Sequence, residues 1–93
     1  MERKIMEETT LSNGKKAVIY EGIGEDLIQA MEIAQAQDNP LLANIMLNLM
    51  EILVEIDGNK LPAEELKKLP LSDFMRLYTT FLNMTSSGQK KAG

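Results

Sequence analysis

Thr9-Thr10-Leu11-Ser12-Asn13-Gly14-Lys15-Lys16-Ala17-Val18-Ile19-Tyr20 is the stretch on which the fold class turns. Asn-Gly between two β-prone runs is the strongest short-range hairpin signal, because both residues tolerate positive φ. The reading places a β-hairpin over residues 3–21. Strand alternation then points Val18 and Tyr20 to one face, and Ala17 and Ile19 to the other. The hairpin's charges balance, with Arg3, Lys4, Lys15 and Lys16 against Glu2, Glu7, Glu8 and Glu21. A lone two-stranded hairpin is marginal in water. It must therefore pack on the rest of the chain or pair with another chain.

The segment after the hairpin reads as helical. Gly22-Ile23-Gly24 ends the strand, and Glu25 and Asp26 sit where a helix N-terminus favours negative charge. Leu27, Ala30, Met31 and Ala34 recur at the spacing of one helical face, widened by Ile28 and Ile33, which predicts a helix over 24–37. Asp38-Asn39-Pro40 closes it and opens a second helix over 40–56, with Asn39 as N-cap and Pro40 at the first helical position. This second segment is apolar almost all round. Its polar residues Asn44, Asn48, Glu51 and Glu55 form one narrow stripe. Such a helix lies at the centre of a core or is covered by something else. It is a little short for a membrane span, carries two glutamates and lacks flanking Lys or Arg.

Asp57-Gly58 makes a turn, and Pro62 opens a short third helix over 62–69, with Lys67 and Lys68 near its end and Pro70 stopping it. Ser72 is the expected N-cap of a fourth helix over 72–84, whose apolar face is Phe74, Leu77, Tyr78, Phe81 and Leu82. Residues 85–93 have no apolar anchor and read as a flexible tail. The expected fold is α+β: one domain over 1–84, an N-terminal β-hairpin followed by a small bundle of four helices, the third short.

Composition narrows the chemistry. The 93 residues are 44% hydrophobic but only 4% aromatic, with no Trp, so the core rests on Leu, Ile and Met. There is no Cys and no His, which removes disulfides, thiolate nucleophiles, Cys/His zinc sites, haem ligation by His and the commonest general base. The net charge of -4 argues against a general nucleic-acid binder, and Lys90-Lys91 is too short for a basic patch. No apolar run follows the charges of residues 1–8, so no secretion signal is read there and an intracellular protein is expected.

Candidate chemical sites resolve into structural features. Glu51 and Glu55 share a helical face by spacing, but read as the wet edge of a buried helix. Counting an EF-hand loop from Asp57 puts Pro62 at its sixth position and Lys68 at its twelfth, where Gly and Glu are required. The order Leu71-Ser72-Asp73-Phe74 departs from the Asp-Ser-Leu of acyl carriers. No enzyme activity, cofactor or metal is expected. Two features point instead to a partner. Between residues 17 and 59 there is no Lys or Arg against eight acidic residues, the pattern of a solvated acidic face or of a surface complementary to a basic helix. Met31, Met46, Met50, Met75 and Met84 fall in the helices, and Met-rich apolar surfaces fill cores or bind varied helices.

The order of the turn and cap motifs carries a resemblance. Leu11-Ser12-Asn13-Gly14-Lys15-Lys16, Glu21-Gly22-Ile23-Gly24-Glu25-Asp26-Leu27, Ile56-Asp57-Gly58-Asn59-Lys60-Leu61, Glu64-Glu65-Leu66 and Leu69-Pro70-Leu71-Ser72-Asp73-Phe74, then Phe81, together cover about residues 5–84. This series resembles the tail assembly chaperones of Mu-like and P2-like contractile phages and prophages. Gly22 and Ile23 depart from it, standing where that family often has Pro and Thr. The resemblance implies a non-enzymatic protein of the bacterial host cytoplasm, absent from the mature virion. Its role would be to hold the helical tape measure protein until tail tube subunits polymerise around it. Leu42, Ile45, Met46, Leu49, Met50 and Leu53 are then expected to serve as a mixture of core and partner-binding surface. The second helix also makes a homo-oligomer plausible, and Lys90-Lys91 would suit a frameshifted longer form if a run of adenines encodes it. The alternative is a small structural tail or baseplate component that self-assembles through the hairpin edge or the second helix.

Overall fold

The computed structural model describes residues 3–92, and the side chains of residues 3–83. Its hairpin is β1 (Ile5–Thr10) and β2 (Lys16–Tyr20), antiparallel, followed by α1 (Gly24–Ala36) and α2 (Leu42–Leu53). Two short strands come next, β3 (Val54–Ile56) and β4 (Asn59–Lys60), then α3 (Ala63–Leu66) and α4 (Leu71–Ala92). The fold is α+β, with an N-terminal hairpin and four helices, one of them short. The sheet is larger than the hairpin, however. It has four antiparallel strands in the order β1-β2-β3-β4.

The third strand comes from the segment expected to end the second helix, and the fourth follows the Asp57-Gly58 turn. That helix stops at Leu53 instead of residue 56, because β-branched Val54 and Ile56 pair with β2 as Ile19↔Val54 and Ala17↔Ile56. Asp57 (φ 53°) and Gly58 (φ 81°) both take the left-handed conformation and return the chain into β4. Two consecutive positive φ values are the signature of the two-residue hairpin turn. At Asn13-Gly14 only Gly14 is left-handed, at φ 86°. There the Gly14 N–H donates to Leu11 O at 2.9 Å and the Leu11 N–H donates to Lys15 O at 2.8 Å, a turn completed by a single left-handed glycine.

The helix starts also differ from expectation. α2 begins at Leu42 with Leu41 at its N-cap, so Asn39 and Pro40 belong to the link and not to the helix. The reason lies at the end of α1. Asp38 turns left-handed at φ 58°, its N–H donates to Gln35 O, and the Asn39 N–H reaches back to Ala34 O, both at 2.9 Å. These two bonds make a Schellman motif, which commits Asn39 to closing α1. A left-handed non-glycine residue is strained, and a carboxylate beside a helix C-terminus is unfavourable. Asp38→Gly is therefore expected to stabilise the fold by about 0.5–1 kcal/mol, read as a raised urea midpoint with an unchanged slope.

α4 starts at Leu71, before Ser72, because the Phe74 N–H donates to Pro70 O at 2.9 Å. Ser72 is thus inside the first turn, not its cap. The helix continues past residue 84 to Ala92, through residues expected to form a tail. Gln89, Lys90, Lys91 and Ala92 are good helix formers, and no proline interrupts them. α3 is confined to Ala63–Leu66, within the expected 62–69.

Ala17 and Ile19 of β2 are fully buried, while Val18 and Tyr20 are half-buried on the opposite face, as the alternation predicts. The inward face joins Val54 and Ile56 to Met50, Leu53, Leu66, Leu77 and Phe81 in one apolar cluster. α2 runs through its centre, with Met46, Leu47, Asn48, Leu49, Met50 and Leu53 all buried. That placement accounts for its nearly unbroken apolar surface. Among the described residues, no helix is long and apolar enough to cross a membrane.

Candidate binding groove

The apolar face of α1 divides by side-chain size. Ala30 and Ala34 are fully buried, and small residues at i and i+4 let α1 lie close against α2. The larger Leu27 and Met31 stay 41% exposed, and Ile23 just before the helix is 63% exposed. On α2, Leu42, Met46, Leu49 and Leu53 recur at intervals of four, three and four, and so share one stripe. On α4, Tyr78 and Leu82 are a turn apart. These residues, with Leu27 and the Gly22–Gly24 link, line a groove of about 480 Å³.

Gly22 is required at the base of this groove. A Cβ there would lie 2.7 Å from Cδ1 of the fully buried Leu53. Beyond Tyr78 lies a second apolar hollow of about 430 Å³, bordered by Leu41, Leu47, Leu69, Leu71 and Phe74. Phe74 and Tyr78 stack with ring centroids 6.1 Å apart, so their pair separates the two hollows. Leu41 and Leu42, each 69% exposed, stand at the mouths of the two hollows.

The six residues expected as core or binding surface separate along these lines. Leu42 is open to solvent, and Met46, Leu49 and Leu53 are buried residues that form the groove wall. Met50 is fully buried in the core, and Ile45 packs half-buried against it. The wall that α2 presents is thus three leucines and one methionine, not a methionine-rich surface. Leu27, Tyr78 and Leu82 are legible in the sequence as apolar positions of their own helices. Nothing local marks them as neighbours across a groove.

The polar stripe of α2 is structural. Asn44 and Asn48 both donate Nδ2 to Gln37 Oε1, at 2.8 and 3.2 Å, which fastens α2 to the end of α1. Glu51 accepts the Ala63 N–H at 3.0 Å, satisfying a free donor at the start of α3. Glu55 lies on β3 and accepts the Tyr20 hydroxyl at 3.0 Å. That bond favours the neutral phenol and raises the Tyr20 pKa. Glu51 and Glu55 therefore do not share a helix face and form no acid/base pair.

The first turn of α1 is tied to the N-terminal segment by an ion pair between part-exposed Arg3 and buried Asp26. Arg3 Nη1 and Nη2 bind Asp26 Oδ2 and Oδ1, both at 2.8 Å, and Asp26 Oδ2 also accepts the Ile23 N–H at 2.8 Å. The Arg3 bonds, aided by the Ile23 N–H and opposed by burial, hold the Asp26 carboxyl below the usual carboxylate range. A depressed carboxyl contributes stability above the unfolded pKa of about 4 and loses it as pH falls through the folded value. The stability difference between the parent and Arg3→Gln is accordingly expected to be full at pH 6 and to shrink below about pH 4. Urea unfolding across that range measures it, and a difference that does not change with pH would refute the assignment.

The chain matches no family model, and no curated protein or solved structure is significantly similar to it. The groove and its surroundings therefore carry the functional argument.

Proposed function

We propose that this chain is a non-enzymatic tail assembly chaperone of a phage or prophage, acting in the bacterial host cytoplasm. In this reading the groove between α1, α2 and α4 holds an apolar helical segment of the tape measure protein until tail tube subunits assemble around it, and the chaperone leaves before the virion matures. The observation that carries the binding part is the apolar groove of about 480 Å³, with Leu27, Leu42 and Leu82 at 41–69% exposure around it. A groove of this kind takes the apolar face of an amphipathic helix, read as anchors at i, i+3, i+4 and i+7. The resemblance of the turn and cap motifs to those of tail assembly chaperones supports the tape measure protein as the partner.

A second reading, a small tail or baseplate component that self-assembles, is favoured by one feature. β1 is an edge strand with Ile5 and Met6 partly exposed. An irregular register between Ile5 and Glu7 interrupts that edge, as β-bulges do where sheets avoid further pairing.

Co-expression separates the two. The protein encoded next downstream is produced with the parent chain, with Leu27→Gln/Leu42→Gln, and alone. A long helical protein that is soluble and co-purifies only with the parent supports the chaperone. The double variant removes two exposed apolar anchors and is expected to weaken capture by at least about tenfold. Equal solubility alone, with nothing co-purifying, overturns the reading. Presence of the chain in finished particles favours the structural component.

A further inference from the structure

The apolar face that holds the groove extends past it. Ile23, Leu27, Leu42 and Leu82 border the hollow of about 480 Å³, and Leu41 and Leu71 border the hollow of about 430 Å³ beyond the Phe74–Tyr78 pair. These six side chains are 41–75% exposed. Met31, one turn beyond Leu27 on α1, is 41% exposed as well. Together they leave on the order of 700 Å² in water, more than the roughly 300–600 Å² of the largest patch on an ordinary monomer. One side of a standard protein interface is about 800 Å². The face therefore has the size of one side of a small interface.

Shape and charge choose what covers it. Leu41, Leu42 and Leu71 are the most exposed of these residues, at 69–75%, and the two hollows lie beside them on the same face. A surface that carries both projecting leucines and hollows fits a copy of itself across a two-fold axis, with the leucines of each copy in the hollows of the other. Self-association also requires that like charges do not meet. Among the described residues, no charged side chain lines the larger hollow. The smaller one is bordered by one charged residue, Lys67, whose ammonium lies 3.3 Å from the Glu64 carboxylate. Glu25 and Glu32 line a separate hollow with Arg3 and Asp26. Two copies can thus bring this face together without setting carboxylate against carboxylate in either hollow.

We infer that a second copy of this chain covers the face when no partner is present, the two copies docking as a closed two-fold dimer through α1, the start of α2 and the Leu71–Leu82 stretch of α4. The dimer shelters both grooves, and a helix that enters a groove displaces the other copy. This rests on the reading of the groove as a helix site and adds the state that precedes capture. The area buried, about 1,400 Å² in total, is at the low end for specific interfaces, which suits a dimer that exchanges. Closure by a two-fold axis uses up the face on both copies, so assembly stops at two chains.

Sedimentation velocity of the full chain from about 1 μM to about 1 mM tests this. The expected result is a shift from one chain to two as concentration rises, and nothing larger. Leu41→Gln/Leu71→Gln, placed at the smaller hollow, raises the dissociation constant of the dimer at least about tenfold. It leaves co-purification of the downstream helical protein at least as efficient as with the parent. Leu27→Gln/Leu42→Gln weakens both the dimer and the capture. Both variants keep the parent's urea midpoint, because the replaced side chains lie outside the core. A single chain throughout the range overturns the inference, as does a dimer that neither variant weakens, or growth beyond two chains. A captured complex in which the dimer persists overturns the displacement. A dimer weakened by both variants, with no helical protein captured by the parent, upholds the dimer and overturns the chaperone reading. Capture by a parent that stays a single chain upholds the chaperone reading and overturns the dimer.

Discussion

Phe81→Ala is expected to lower the free energy of unfolding by about 3–5 kcal/mol, the largest effect of any single truncation in this chain. Phe81 is fully buried and is the largest of the fully buried side chains, in a core otherwise built from aliphatic residues. Truncating it removes apolar area and leaves a cavity that rigid β2 and the centre of α2 cannot fill. A small domain has roughly 5–15 kcal/mol in all, so the variant retains only part of its stability. The melting temperature should fall by at least about 12 °C. Phe81→Leu, which keeps most of the volume, should cost about 1.5 kcal/mol or less. A loss below about 1 kcal/mol for alanine would show that α4 does not close the core as described.

Asp73→Ala is expected to cost about 2–3 kcal/mol. Asp73 is 2% exposed, and its two oxygens accept the Ser12 N–H at 3.0 Å and the Ser12 hydroxyl at 2.7 Å. One carboxylate thus fastens the hairpin turn to the first turn of α4, where negative charge is also favoured by the helix N-terminus. Its removal takes both charge-assisted hydrogen bonds from Ser12, whose N–H at the partly buried hairpin turn loses its carboxylate partner. Ser12→Ala removes only the hydroxyl and is expected to cost about 1 kcal/mol. The two losses should not add, with a coupling of at least about 0.5 kcal/mol in a double-mutant cycle. Additive losses would mean that the two residues stabilise the fold independently.

The parts of the fold visible in the sequence are those decided within a few residues. Alternation at Ala17-Val18-Ile19-Tyr20 gives the right faces because burial imposes it locally, whereas the 3.6-residue period is right for Ala30, Ala34, Leu77 and Phe81 but not for Leu27, Ile28, Met31 and Leu82, which stay exposed. Asp57-Gly58 carries the same kind of dipeptide signal as Asn13-Gly14. Its hairpin is hidden because the apolar run of α2 continues without a break into Val54 and Ile56. The choice between helix and strand there is made by β2, which offers Val54 and Ile56 a ladder 35 to 39 residues away in sequence. Both expected N-caps fail for a related reason. Asn39 is taken by the Schellman closure of α1, and Pro40 stays in the link, while Pro70 supplies the carbonyl that starts α4 one residue before Ser72.

The groove is half legible. Its α2 wall can be read residue by residue, but the opposing Leu27, Tyr78 and Leu82 read only as core positions of amphipathic helices. Their exposure is a tertiary result. Ala30 and Ala34 bring α1 close to α2, which leaves the larger side chains of α1 outside that contact. Asp73 shows the same limit. Its partner Ser12 is 61 residues away, and no local pattern marks a carboxylate that reaches back across the fold.

The ties that α4 makes to the hairpin also have a temporal consequence. Ser12 meets Asp73 across 61 residues and Glu7 meets Thr80 across 73, whereas the strands pair in chain order, with α1 and α2 between β2 and β3. During synthesis, at roughly 5–20 residues per second, the sheet with α1 and α2 has its partners for about 1–4 s before Leu77 and Phe81 emerge. Through that interval the part of the apolar cluster that Leu77 and Phe81 complete stays uncovered. The nascent protein is then itself an aggregation-prone apolar surface until α4 completes the core.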